Sequence, residues 1–129
     1  MHKRRSLFFI AKRRALRKIT KIFMKLNSYK ELIVWQKSIE LVNEIYGLSS
    51  QMQRAAVIIP SNIAEGYRRN HRAEFIQFLA IAISSAAELE TQLIICKQQY
   101  TDIDYSKAEA LLDEIQRMLY VMISKLKDK

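Results

Sequence analysis

Arg68, Arg69 and Arg72 follow Tyr67 directly and form the densest basic cluster after the first 27 residues of this 129-residue chain. Guanidinium forks bind phosphates in two-pronged fashion, and a neighbouring aromatic ring offers a face on which a base can stack. The cluster therefore has the chemistry to hold RNA or DNA. Arg54 lies on the stretch leading into it, although the intervening residues would separate the two by about 20 Å if helical. The plainer reading is a solvated loop whose arginines pair with Glu65 and Glu74.

Just before this cluster, Pro60, Asn62, Glu65 and Gly66 form a second unusual group. Proline removes an amide donor and strains a helix interior by roughly 3 kcal/mol. Met52, Ala55, Ala56, Ile59 and Ile63 nevertheless keep a helical rhythm through it, which predicts one helix kinked at Ile59–Pro60 and stopped at Gly66. Asn62 and Glu65 then have two readings: partners for backbone groups freed by Pro60, or a ligand site.

Catalytic and cofactor chemistry finds little to use. His2 and His71 lack the Glu-x-x-His spacing of a di-iron bundle, and a single cysteine with two distant histidines falls short of a zinc site. Two glycines cannot build a phosphate-cradling loop. A Ser-His-carboxylate group would have only His71, among arginines that disfavour the imidazolium it must form. The expectation is a non-enzyme with no metal, no cofactor and no catalytic residues.

The net charge of +9 is unevenly placed: residues 1–27 carry ten of the 22 Lys and Arg and none of the 13 Asp and Glu. The rest of the chain is nearly neutral. Within that extension Leu16, Ile19, Phe23 and Leu26 share one helical face, while Arg14, Lys18, Lys21 and Lys25 share another. Three readings stand: a nucleic-acid arm, a membrane-surface helix, or translated upstream sequence before a start at Met24. Its apolar run, Leu7 to Ala11, is far below the ~20 residues of a bilayer span, so no transmembrane segment or signal is expected and the location is expected to be cytoplasmic.

Residues 28–129 read as one all-α domain. A first helix, about 30–46, carries two apolar stripes: Leu32, Trp35, Ile39, Val42 and Tyr46, and beside them Val34, Leu41 and Ile45. Two stripes imply either a wide core face or a contact between subunits. Gly47 suits a helix-ending turn, and Ser49 or Ser50 can cap the second helix, 50–65. The third helix, 72–99, with Asn70 as its candidate cap, places Phe75, Leu79, Ala82, Ala86, Leu89, Leu93, Cys96 and Tyr100 on one face. Its Ala80–Ala87 centre leaves room for a close helix or a large residue such as Trp35. Asp104 is the candidate cap of a fourth helix, with Ala108, Leu112, Ile115, Leu119, Met122 and Leu126 inward. Short connections make this an antiparallel up-down four-helix bundle with a basic N-terminal extension.

The motifs Leu32–Lys37 (LIVWQK), Gly47–Ala56 (GLSSQMQRAA), Ile59–Arg69 (IPSNIAEGYRR), Glu74–Leu79 (EFIQFL) and Glu88–Leu93 (ELETQL) resemble the four helix bundle proteins also called 23S rRNA-intervening sequence proteins. The resemblance spans about residues 28–129. It implies a helical bundle, commonly a homopentamer, without established catalytic activity. A more distant likeness, to the accessory proteins of diversity-generating retroelements, implies engagement with nucleic acid and a reverse transcriptase. Together with the basic cluster this gives the expected function: an oligomeric bacterial bundle binding nucleic acid or a ribonucleoprotein, against the alternative of a protein-only assembly scaffold. The candidate nucleic-acid residues are Arg54, Tyr67, Arg68, Arg69 and Arg72.

The chain departs from that pattern at three places. Ile58 and His71 stand where the family usually has serine. About a dozen residues usual between the positions of Tyr46 and Gly47 are missing. The shortened corner should expose Leu93, Ile94, Cys96 and Leu111 as an apolar surface, lowering stability or solubility.

Overall fold

The computed structural model describes residues 26–128, so the readings made on residues 1–25 lie outside the described part. A 3-10 turn, Tyr29–Glu31, leads into four helices: α1 (Ile33–Ile45), α2 (Ser50–Arg68), α3 (Arg72–Gln99) and α4 (Ser106–Lys127). Among the described residues there is no strand.

Local chemistry sets most boundaries. Ser28 Oγ accepts from Lys30 N at 3.2 Å, which folds the start into a 3-10 turn and delays α1 beyond the expected position 30. Gly47, at φ +93°, turns the chain after α1. Ser49 Oγ then accepts from Met52 N at 3.1 Å and caps α2. Before α4, Asp104 Oδ1 accepts from the Ser106 hydroxyl at 2.7 Å and its amide at 2.9 Å. Those two bonds hold the Asp104 carboxyl below the usual carboxylate range.

Each helix packs on the next, and α4 returns to α1. The pairings run in opposite senses along neighbouring helices. On α1 and α4, Glu44 meets Lys107 and Lys37 meets Glu114, each at 3.1 Å. Between α2 and α3, Ser85 Oγ donates to the Ala55 carbonyl at 2.8 Å, while Gly66 lies against Phe75 and Phe78. Between α3 and α4, Lys97 meets Glu109 at 3.0 Å and Gln116 Nε2 donates to Glu90 at 2.8 Å. Four helices so paired around one apolar core form an up-down bundle.

The inward stripes of α3 and α4 are those the sequence predicts as far as Leu93 and Leu126, whereas Cys96 is half-buried and Tyr100, past the end of α3, is exposed. On α1 the second of the two stripes turns inward, and Leu32, just before the helix, is buried with it. Val34, Leu41 and Ile45 are buried together with Ser38, whose hydroxyl donates to Trp35 O at 2.7 Å, whereas Trp35, Ile39 and Val42 are half-buried and Tyr46 is exposed. Two adjacent apolar stripes carry no local signal for which one turns inward. The small centre of α3 receives the backbone of α2, through Ser85 and Ala55, and Trp35 lies elsewhere, edge-on to Tyr29.

Gly66 does not stop α2; it lies inside the helix, which runs on to Arg68. A Cβ there would lie 2.6 Å from Phe78 Cβ and 3.1 Å from Phe75 Cδ1, so a glycine that looked like punctuation is a point of close helix approach. Asn70 also departs from expectation. It takes the left-handed conformation, φ +52°, and the residue at the head of α3 is His71, which makes no side-chain capping bond.

By helical rise α1 is about 20 Å long and α3 about 42 Å. The excess of α3 is better covered than the sequence implies. α4 runs along it and buries Leu93 and Leu111, while Tyr105 folds back over Cys96, leaving Ile94 and Ile95 as the exposed pair. The Tyr105 hydroxyl donates to Tyr100 O at 2.9 Å and meets Cys96 Sγ at 3.3 Å. α3 is also long and apolar enough, by length and composition alone, to cross a membrane. Its Phe75–Leu93 stripe instead forms part of the bundle core.

Two expected outcomes follow from this packing. Gly66→Ala should destabilise the bundle by about 1–3 kcal/mol through overpacking, against a helix propensity that favours alanine by ~1 kcal/mol. Urea unfolding at unchanged m-value measures it, and an equally stable variant would show that α2 and α3 can move apart freely. The second concerns Tyr105. Its hydrogen bond with Cys96, then burial, push the phenol from 10.0 up to about 12. The folded protein thus keeps a proton that the unfolded chain loses, so this contribution is full below pH 10 and fades as pH rises towards 12. Tyr105→Phe should lower the unfolding temperature at neutral pH, and the gap to wild type should narrow across that window.

Candidate functional site

The corner between α2 and α3 gathers most of the candidate residues. α2 delivers Tyr67 and Arg68 on its last turn, Arg69 follows, Asn70 reverses the chain, and Arg72 opens α3. The turn is closed by Asn70 N donating to Tyr67 O at 3.2 Å.

Tyr67 is the anchor of this corner. Its ring stands edge-on to Phe75, with centroids 6.1 Å apart, and its hydroxyl donates to the backbone carbonyl of Leu26, 41 positions earlier. Burial, and then the negative charge of Glu31, raise the phenol above its ordinary value, which keeps it a donor. Arg68 reaches across to the same segment and lies over the Tyr29 ring at 5.9 Å; that ring meets Trp35 edge-on at 5.4 Å. Cation–π contact holds a guanidinium in place without neutralising it.

Arg69 is differently engaged. Its Nη2 pairs with Glu65 Oε1 at 3.1 Å, and its guanidinium lies over Phe78 at 5.3 Å. Both partners are about half exposed, where an ion pair is worth little. Among the described residues, no carboxylate pairs with Arg54, Arg68 or Arg72. Arg54 is exposed near the start of α2 and is not brought to the corner, since the helix carries it about 20 Å away.

A polar cavity of about 310 Å³ opens at this corner, lined by Leu26, Asn27, Ser28, Tyr29, Tyr67, Arg68 and Asn70. It combines one guanidinium, two phenols, a serine hydroxyl, two amide side chains and backbone groups, a donor-rich set suited to phosphate and base edges. Among the described residues, no group of three or more His, Cys, Asp or Glu side chains is placed to ligate a metal ion.

The proline segment behaves as one continuous helix through a buried Pro60. Asn62 Nδ2 donates to Ile58 O and Ser61 Oγ to Val57 O, both at 2.8 Å, so side chains engage two carbonyls in the turn before the proline. Glu65 makes no such bond. Its carboxylate pairs with Arg69, the loop arrangement that the plainer reading of the sequence described for that arginine.

Tyr29, Asn27, Ser28 and Asn70 were not among the candidate site residues read from the sequence, where Asn70 was the expected cap of the third helix. Only Asn70 had a local signal, as a turn-forming type tolerant of positive φ. The others join the corner through contacts between segments far apart in the chain.

A family model, 23S rRNA-intervening sequence protein, matches residues 30–121. The chain belongs to that family. The match takes in the corner arginines and the Pro60–Gly66 segment, and stops short of the last turns of α4. A comparison with curated proteins returns no match.

Proposed function

We propose that this family member is a non-catalytic, homo-oligomeric bundle that binds RNA, alone or within a ribonucleoprotein, through the α2–α3 corner. The observation that carries the reading is the guanidinium of Arg68, held over Tyr29 beside a polar cavity and without a carboxylate partner among the described residues. Arg72 adds a second such cation at the head of α3, and Tyr67 fixes the frame between them. Arg69 and Arg54 contribute longer-range attraction. The family description, which names an intervening sequence of 23S rRNA, favours RNA over DNA as the partner and agrees with a cytoplasmic location.

A single corner offers few phosphate contacts. Assembly into a ring, with five copies as the family resemblance implies, repeats it around an axis and makes weak contacts multivalent. The outer faces of the bundle leave Tyr46, Val57, Ile58 and Ile81 exposed, apolar surface of the kind that subunit contacts cover.

The second reading, a scaffold that recognises protein only, draws on the exposed Ile94, Ile95, Tyr100 and Ile103 at the opposite end of the bundle. RNA binding as a function of salt separates the two. For the full chain, and for one shortened to begin at Met24, affinity should fall steeply with salt. Replacing Arg68 and Arg72 by alanine should lower the slope of log K against log salt by about one per lost phosphate contact. Sedimentation should show a species well above the 15.2 kDa chain in all of them. Salt-insensitive association, or a slope untouched by the double substitution, would favour the scaffold.

A further inference from the structure

An apolar groove runs between the start of α1 and the second half of α4. Ile33 and Val34 form one wall and Met118, Val121 and Met122 the other, around a space of about 390 Å³. Ile33 is 59% exposed and Val121 50%, so two large aliphatic side chains face each other across a groove that no described residue fills.

The chain itself arrives there. Leu26, the first described residue, lines the groove and packs against the core, and 25 residues precede it. Phe23, Ile19 and Leu16 continue the Leu26 stripe backwards at alternating spacings of three and four. A helix on that register would carry Ile19 and Phe23 along the groove from the point where Leu26 enters it. From Ile19 to Leu26 is about 10 Å of helix, comparable with the roughly 8 Å of α4, Arg117 to Met122, that lines the opposite wall. The charges agree with this placement. On that register Arg14, Lys18, Lys21 and Lys25 would share the other face; Glu31 lines the groove, and Arg117, the cation lining it, pairs with Asp113 at 2.8 Å.

We propose that residues 16–25 dock in cis, as an amphipathic helix, into the groove between α1 and α4, seating Ile19 and Phe23 against Ile33 and Val121. The docked segment buries the apolar walls and displays a row of cations on the bundle surface beside the α2–α3 corner, which shares Leu26 with the groove.

The test uses the full chain with Cys96→Ser. Phe23→Cys with Val121→Cys should form an intramolecular disulfide under mild oxidation and migrate at the 15.2 kDa of one chain without reductant. Phe23→Cys with Ile94→Cys, at the far end of α3, should not. A cross-linked band at twice that mass would assign the groove to a second copy, and no cross-link would leave the segment undocked; either overturns the proposal. Limited trypsin digestion gives an independent reading, because cleavage of a docked segment tracks its open fraction. Cleavage after Lys18 and Lys21 should accelerate about tenfold in Ile33→Asp, a change at the first residue of α1 that suits a helix start. Equal cleavage in wild type and variant would overturn the proposal, as would protection that rises with protein concentration.

Discussion

The close approach of α2 and α3 is the constraint on which the rest of the bundle depends. Gly66 presents no Cβ where Phe78 and Phe75 come nearest, and Ser85 bonds the Ala55 carbonyl further along the same seam. Small residues line this contact on both helices, including Ala56, Ala82 and Ala86, all fully buried. Two backbones held this near leave few alternative crossings, because close-packed interiors do not deform continuously. The short loop joining the two helices is then forced into one shape. It places the arginines on the outside of a rigid corner.

The corner is tied as well as packed. Tyr67 and Arg68, adjacent on α2, both reach the segment before α1: one by a hydrogen bond to Leu26 O, the other by lying over Tyr29. An apolar pairing could have held the same strands of chain together. A phenol and a guanidinium do so while leaving polar groups around an open cavity, which is what an anion-binding surface needs. The tie also fixes Leu26, which lines the groove between α1 and α4.

The opposite end shows how a bundle absorbs unequal helix lengths. α1 is far shorter than α3, yet the core continues past its end because α4 and Tyr105 take over the covering. The aliphatic residues left outside, Ile94 and Ile95, remain about half exposed, Ile94 in a cleft it lines with Leu112 and Gln116 of α4. The two ends are thus chemically distinct: one carries the arginine cluster, the other ion pairs such as Lys97–Glu109 beside exposed aliphatic residues.

Much of this protein was legible in its sequence. Hydrophobic period alone located α3 and α4 and their inward faces, because a 3.6-residue repeat is a local property of the chain. Ser49 and Gly47 announced the turn after α1 by residue type, and the arginine cluster announced a basic site by composition. What tertiary structure decided were the questions that local pattern leaves degenerate. On α1 either apolar stripe could have faced inward, and contact with α2 and α4 chose Val34, Leu41 and Ile45. Gly66 reads from the sequence as a helix stop, and only the position of Phe78 on another helix shows it to be a contact point. Which arginine is engaged by a carboxylate and which is held over a ring depends on Glu65 and Tyr29, the latter brought near by the fold rather than by the chain. Residue type and period are properties of a segment; facing, crossing and charge pairing are properties of two segments at once.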